Sequence, residues 1–169
     1  YTGKARCGLT MKKNIRDLQL NEIEEVMSLM GEPKFRAMQI FAWLCKGIED
    51  FDEMQNVPLN LRKKLDEEFF IGFFRPAEVQ ISALDGTRKY LFVLKDGNAV
   101  ESVFMKYKYG NTICVSSQVG CRMGCRFCAS TLAGLVRNLS PGEMVQQLLA
   151  AEKDTGEKIN HIVVMGSGE

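Results

Sequence analysis

The chain has 169 residues, the size of one domain or of one domain with a small appendage. Its 46% hydrophobic and 25% charged content is that of a globular protein with a core to bury, which excludes a disordered or collagen-like polymer. No apolar run reaches the roughly 18 residues of a membrane helix, and the charged start lacks the apolar stretch of a signal peptide, so a cytoplasmic chain with no membrane partner is expected. With 22 basic against 21 acidic residues, a net charge of +1, nucleic-acid binding would have to come from a local patch and not from a global field.

Residues 1–10 show no periodicity and precede a Met11-Lys-Lys-Asn start, so a disordered leader is expected there. From Asn21, with Glu24 three residues on, Ile23, Val26, Met27 and Met30 keep helical spacing until Gly31 and Pro33 stop it. A second helix after Pro33 places Ala37, Ile40, Phe41 and Leu44 on one face, and a third after Pro58 does the same with Leu61, Leu65 and Phe69. From Ala77 the period falls to two: Val79 and Ile81, an Asp85-Gly86 turn, Tyr90 to Leu94, an Asp96-Gly97 turn, then Val100 to Met105, which is an antiparallel meander. A strand at Thr112 to Ser116 leads into a cysteine cluster. Beyond it, Ser140 with Glu143 forms a capping box for a helix reaching about Lys153, and Ile162 to Met165 is a buried strand.

Strand, helix, strand is a βαβ unit and requires a parallel pair. One such unit neither covers a sheet nor closes a barrel, so a chain stopping at Gly166-Ser167-Gly168-Glu169 reads as part of something longer. The expected fold class is α/β, α+β overall. It divides into a leader (1–10), a helical accessory module (11–72) that docks on the rest of the chain, a β-hairpin extension (73–110) and the start of a parallel core (111–169).

Four of the six cysteines crowd into Cys114–Cys128, and in a chain without a secretory signal this suggests metal or redox chemistry before disulfides. Cys121-x3-Cys125-x2-Cys128 offers three thiolates, with Gly120 and Gly124 letting the backbone wrap. Iron–sulfur cubanes are normally held by four cysteines, so three would leave one iron open to a non-protein ligand. A zinc site completed by Cys114 or His161, or three structural cysteines, are the competing readings.

The Cys-x3-Cys-x2-Cys spacing resembles the cluster signature of radical S-adenosylmethionine enzymes. The wider context, Cys114-Val-Ser-Ser-Gln-Val-Gly-Cys121, Cys125-Arg-Phe-Cys128-Ala, Arg137-Asn-Leu139, Gly142-Glu143 and Met165-Gly-Ser-Gly-Glu169, resembles the adenine-C2 RNA methyltransferases of the RlmN family. Gly31-Glu-Pro33, Phe35-Arg-Ala37, Gln39-Ile40 and Val100-Glu-Ser-Val103 extend the likeness to residues 11–169.

The resemblance implies a [4Fe-4S] cluster on Cys121, Cys125 and Cys128, S-adenosylmethionine chelated to its open iron, and Gly168 and Glu169 meeting the methionine ammonium of that cofactor. Ser167 stands where methionine is more usual. It also implies that Cys114 is the thiol that attacks a methylated cysteine to release product through a disulfide, and that Glu101 accepts a proton from the adenine ring. The fold implied is the start of a partial (β/α)6 barrel. The partners implied are 23S ribosomal RNA and tRNA and an external, flavodoxin-like electron donor, with a monomeric protein. Neither Cys7 nor Cys45 matches the family's methyl-carrying cysteine, so the chain alone is not expected to methylate RNA.

Two alternatives remain: a Cfr-type enzyme acting at adenine C8, against which Val119-Gly120 and Arg137-Asn-Leu139 favour C2, and a non-catalytic zinc- or cluster-binding RNA module. Between residues 101 and 140 five basic residues, Lys106, Lys108, Arg122, Arg126 and Arg137, face one acidic, with Tyr107 and Tyr109 interleaved. That is a candidate basic patch with stacking groups, or equally a lysine-bearing strand edge.

Overall fold

A computed structural model describes residues 12–168; the expected leader and Glu169 lie outside the described residues. Two cores divide the molecule. The first gathers Ile15, from a short 3-10 turn (Ile15–Asp17), with Ile23, Met27, Ile40, Leu61 and Leu65 from three helices, all essentially inaccessible: α1 (Leu20–Leu29), α2 (Phe35–Cys45) and α3 (Leu59–Glu68). Short parallel strands β1 (Lys13–Asn14) and β2 (Phe69–Phe70) close it. The helices occupy the expected stretches with shifted ends. α1 starts before Asn21 because Glu22, not Glu24, caps it, accepting the Gln19 N–H at 2.7 Å; this lets Leu20 pack in the first turn. α3 stops at Glu68, so Phe69 reaches the core from a strand.

The second core lies between a mixed sheet of five strands and the helix α4 (Pro141–Thr155). Strands β3 (Pro76–Ile81), β4 (Arg88–Val93), β5 (Ala99–Tyr107) and β6 (Gly110–Val115) form the antiparallel meander, turning at the two Asp-Gly pairs and at Lys108-Tyr109. A two-stranded ribbon of β7 (Gln118–Gly120) and β8 (Leu135–Asn138), absent from the sequence-based expectation, comes next in the chain. β9 (His161–Val164) then adds parallel to β6, with α4 as the crossover, giving the sheet order β3-β4-β5-β6-β9. Alternation decides the faces: Tyr90, Phe92, Val100, Phe104, Ile113 and Val115 are buried on the α4 side, so Glu101, Val103 and Cys114 project from the other.

Two neighbouring polar residues brace the first part and join it to the second. The Arg16 guanidinium donates to the carbonyls of Gly72 at 2.8 Å, of Ile48 at 2.5 Å, and of Leu44 at the C-terminal end of α2. Burial pushes its pKa down to about 10, and the three carbonyls replace its water. The Asp17 carboxylate accepts the Gly142 N–H at 2.9 Å in the first turn of α4, where a negative group is favoured. A side chain at Gly142 would collide with it, since a Cβ there lies 2.6 Å from Asp17 Oδ1.

Candidate active site

The chain leaves β6 at Val115, runs through β7, makes a long excursion carrying Cys121, Cys125 and Cys128, and returns through β8. The neck of this loop is a backbone contact: the Cys121 N–H donates to Gly134 O at 3.1 Å. Gly120 is required there, because φ is +71° and a Cβ would stand 2.0 Å from that same oxygen. Inside the loop Cys128 N–H bonds Cys125 O at 3.1 Å, and the Thr131 hydroxyl donates to Cys128 O at 2.9 Å. Cys121 is buried at the neck, Cys128 is half-buried and Cys125 exposed; all three thiols are free. Between them Phe127 is 96% exposed.

Beside the loop lies the turn after β9. Ser167 O accepts from Ser117 N at 2.9 Å and Gln118 N at 3.0 Å, and the Ser167 hydroxyl meets that of Ser130, two residues past Cys128, at 3.1 Å. The Ser167 side chain thus reaches the cysteine loop. Gly168 has φ +116°, and a Cβ would fall 2.6 Å from both Ser117 Oγ and Gln118 Cγ, so the turn lies flat on the strand-to-ribbon connection. Gly168 is therefore packed on Ser117 and Gln118, one residue from the Ser167 hydroxyl that meets the cysteine loop, whereas Glu169 is outside the described residues.

Cys114 and Glu101 share the sheet face that α4 leaves open. Cys114 is half-buried between Val103 on β5 and Val163 on β9. Glu101 lies two residues further along β5, making the two diagonal neighbours with Cα atoms about 7–8 Å apart. The Glu101 side chain is 56% exposed and pairs with Lys89 at 3.0 Å.

His161 does not join the cysteines. It begins β9 opposite Thr112, at the far end of the parallel pair from the loop, with its ring edge-on to Tyr109. The basic patch also does not form as one surface. Tyr107 and Tyr109 stack at 5.0 Å at the β5–β6 turn, the end away from the loop, and Lys106 there is paired with Glu157. Arg122 and Arg126 are exposed on the loop itself.

Arg137 serves structure. Its guanidinium takes Glu143 in a two-pronged pair, both contacts 2.8 Å, and donates to Asp96 at 2.6 Å, tying β8 to the start of α4 and to the β4–β5 turn. These bonds hold both carboxyls below their ordinary range, Asp96 down to about 2, while Glu143 is moved by Arg137 against its own burial. A depressed carboxylate stabilises the fold fully above its unfolded pKa of about 4, and that contribution is lost as pH falls through the folded value. Arg137→Ala should therefore cost about 1–2 kcal/mol at neutral pH, the half-exposed setting discounting the pair. Thermal melts of the two proteins should converge as pH falls from about 4 towards about 2, the span between the unfolded and folded values; a constant gap would assign the loss to packing.

Among the described residues no three His, Cys, Asp or Glu side chains converge as the ligands of a single metal ion do. Thiolates on a cubane go to different irons and need not converge, so the donor set of three free thiols on one glycine-shaped loop suits such a cluster. Among the described residues no helix is long and apolar enough to cross a membrane.

The mixed sheet with its cysteine loop matches about half of a solved radical SAM methyltransferase. A crystal structure of such an enzyme from Sphaerobacter thermophilus matches with a TM-score of 0.82 and 41% identity, covering 93% of this chain and 47% of that one. Residues 13–71 match the family model described as the ribosomal RNA large subunit methyltransferase N-terminal domain. The probable dual-specificity RNA methyltransferases RlmN of Alkaliphilus oremlandii and Desulforamulus reducens are 55% and 53% identical to this chain, each over 94% of its length. The chain is similar to the RlmN family over 94% of its own length, and it spans about half the length of these curated relatives, 46% and 45%.

Proposed function

We propose that this chain provides the cluster-binding part of a radical S-adenosylmethionine enzyme that methylates C2 of adenosine in 23S ribosomal RNA and in tRNA. The observation that carries the reading is the placement of the three-cysteine loop against the Gly166–Gly168 turn, with Cys114 and Glu101 on the open sheet face. In this reading Cys121, Cys125 and Cys128 hold a [4Fe-4S] cluster, and Gly168 with Glu169 receives the amino group of the cofactor's methionine. The chemistry such a cluster supplies when bound is one-electron reductive cleavage of the sulfonium, with the electron coming from an external, flavodoxin-like donor.

The protein residues have their own tasks. Cys114 Sγ attacks the sulfur of a second cysteine once the methyl carbon on that sulfur is bonded to the base: the S–S bond forms, the S–C bond breaks, and its electron pair leaves with the carbon, which takes up a proton. No other cysteine of this sequence matches that second residue. Glu101 Oε accepts the proton leaving the adenine ring, and to do so its carboxylate must exchange Lys89 for the base. Residues 11–72 act as an accessory module, 73–110 as a β extension, and 111–169 as the start of the partial barrel, in a monomeric cytoplasmic enzyme.

The test is an EPR spectrum of the intact, anaerobically reconstituted and reduced protein, with and without S-adenosylmethionine. A four-iron signal that changes on adding the cofactor is expected. Bound zinc with no iron signal would favour a non-catalytic module, and 8-methyladenosine in treated RNA, in place of 2-methyladenosine, would move the regiochemistry to the Cfr type.

A further inference from the structure

α4 lies on an apolar bed, yet one of its inward-facing residues is glutamine. Gln147 has no accessible surface and stands beside Ala150 and Ala151 on the helix face that covers the sheet. A buried amide without partners costs on the order of a few kcal/mol, so its bonds explain its presence. Gln147 Oε1 accepts from Ser116 N at 2.9 Å and from the Ser102 hydroxyl at 2.6 Å, while Nε2 donates to Ser116 O at 2.9 Å and more weakly to Glu143 O at 3.4 Å. The amide orientation is not arbitrary, since a backbone N–H and a backbone C=O of one residue fix which end is which, and the Ser102 hydroxyl must then be the donor.

Ser116 is the first residue past the last rung of the sheet ladder, Val115 with Val164, so Gln147 does for it what a neighbouring strand would do. Held there, the Ser116 hydroxyl donates to Glu101 O at 2.8 Å and accepts from Ser167 N at 3.0 Å. Gly166 leaves room for this contact, because a Cβ on it would stand 2.6 Å from Ser116 Oγ. One side chain from α4 therefore sets a serine whose hydroxyl joins the strand carrying Glu101 to the turn beside the cysteine loop.

We infer that Gln147 is a positioning residue: through Ser116 it fixes the Gly166–Gly168 turn relative to Glu101, and so, on the functional reading above, the seat of S-adenosylmethionine relative to the proton acceptor. Nothing in Gln147 touches substrate or cofactor. Its influence passes entirely through Ser116, so removal of the Ser116 hydroxyl should reproduce it while leaving the α4 core intact.

The experiment compares Gln147→Met and Ser116→Ala in the intact protein with Tyr90→Phe, which removes a buried hydroxyl bonded to Asp154 at 2.8 Å near the other end of α4. Two readouts are taken: amide hydrogen exchange across 166–168, which needs no cofactor, and the affinity of the reconstituted protein for S-adenosylmethionine. Gln147→Met and Ser116→Ala should each speed exchange of the Ser167 amide by about 10–100-fold and weaken cofactor binding by about tenfold. Tyr90→Phe should lower the melting temperature and change neither. Wild-type exchange and affinity in Ser116→Ala, or an equal loss of affinity in Tyr90→Phe, would overturn the inference, the latter by showing a general effect of destabilisation. Reconstituted wild-type protein that binds no S-adenosylmethionine would instead overturn the functional reading and the cofactor half of the inference, while the exchange data would still decide whether Gln147 holds the turn.

Discussion

Gly120→Ala is expected to abolish iron uptake by the cysteine loop, although it adds one methyl group to a chain of 169 residues. The added Cβ would sit 2.0 Å from Gly134 O, the oxygen that accepts the Cys121 N–H, at a backbone φ of +71°. Neither partner can yield cheaply, because both are backbone and both belong to the neck of the β7–β8 ribbon. Left-handed geometry costs an L-residue about 1–2 kcal/mol and loss of the neck hydrogen bond about 1–3 more. Gly124→Ala is the matched control. It shares the positive φ, +70°, but a Cβ there meets nothing within 4 Å, so only the conformational cost applies. The measurement is iron per chain after reconstitution, with limited proteolysis across 121–134. Full iron loading in Gly120→Ala would show that the loop holds its thiols without its neck.

Cys125→Ala and Cys114→Ala should fail in opposite ways. Without Cys125 only two thiols of the loop remain, and stable iron incorporation should be lost. Cys114 lies on β6 between Val103 and Val163, outside the loop, so Cys114→Ala should keep iron content and S-adenosylmethionine affinity at wild-type levels. On the proposed function, methyl transfer to RNA by the intact protein carrying this change should fall by on the order of a thousandfold or more, as when a nucleophile is removed. The small cavity left at a half-buried position should cost about 1 kcal/mol. Loss of iron from Cys114→Ala would make it a fourth cluster ligand and would contradict its proposed chemistry.

The elements legible in the sequence were those whose signal is local. Helical spacing marked α1 to α3, two Asp-Gly pairs marked the hairpins, and the Ser140–Glu143 capping box, whose reciprocal bonds measure 2.9 and 3.3 Å, located the start of α4. The ribbon was missed because strands of three and four residues carry too little alternation to register; the signal available was a pair of glycines, Gly120 and Gly134, bracketing the cysteines. Arg137 entered as part of a basic patch because its acidic partners, Asp96 and Glu143, lie on other elements and sequence distance hides them. The patch dissolved for a related reason. In an extended strand six residues cover about 20 Å, so Tyr107 is far from Glu101 although both belong to β5. Gln147 is not legible as a functional residue, since a glutamine in an amphipathic helix reads as surface; only the buried Ala150 and Ala151, one turn on, mark its face as inward.

The neck formed by Cys121 and Gly134 also governs how a cluster could be assembled. A free chain must find each further thiol by diffusion of its own segments, whereas here the ends of the excursion are already joined when folding is complete, so the entropy of closing it is spent before any iron arrives. Cys121 is buried at the fixed end and Cys125 is exposed on the span. Once one thiol is engaged, the other two act as tethered ligands at an effective concentration on the order of millimolar, set by the span and independent of how dilute the protein is. The ribbon thereby narrows the search in the two ring closures that remain, which the covalent chain alone would leave to a looser loop.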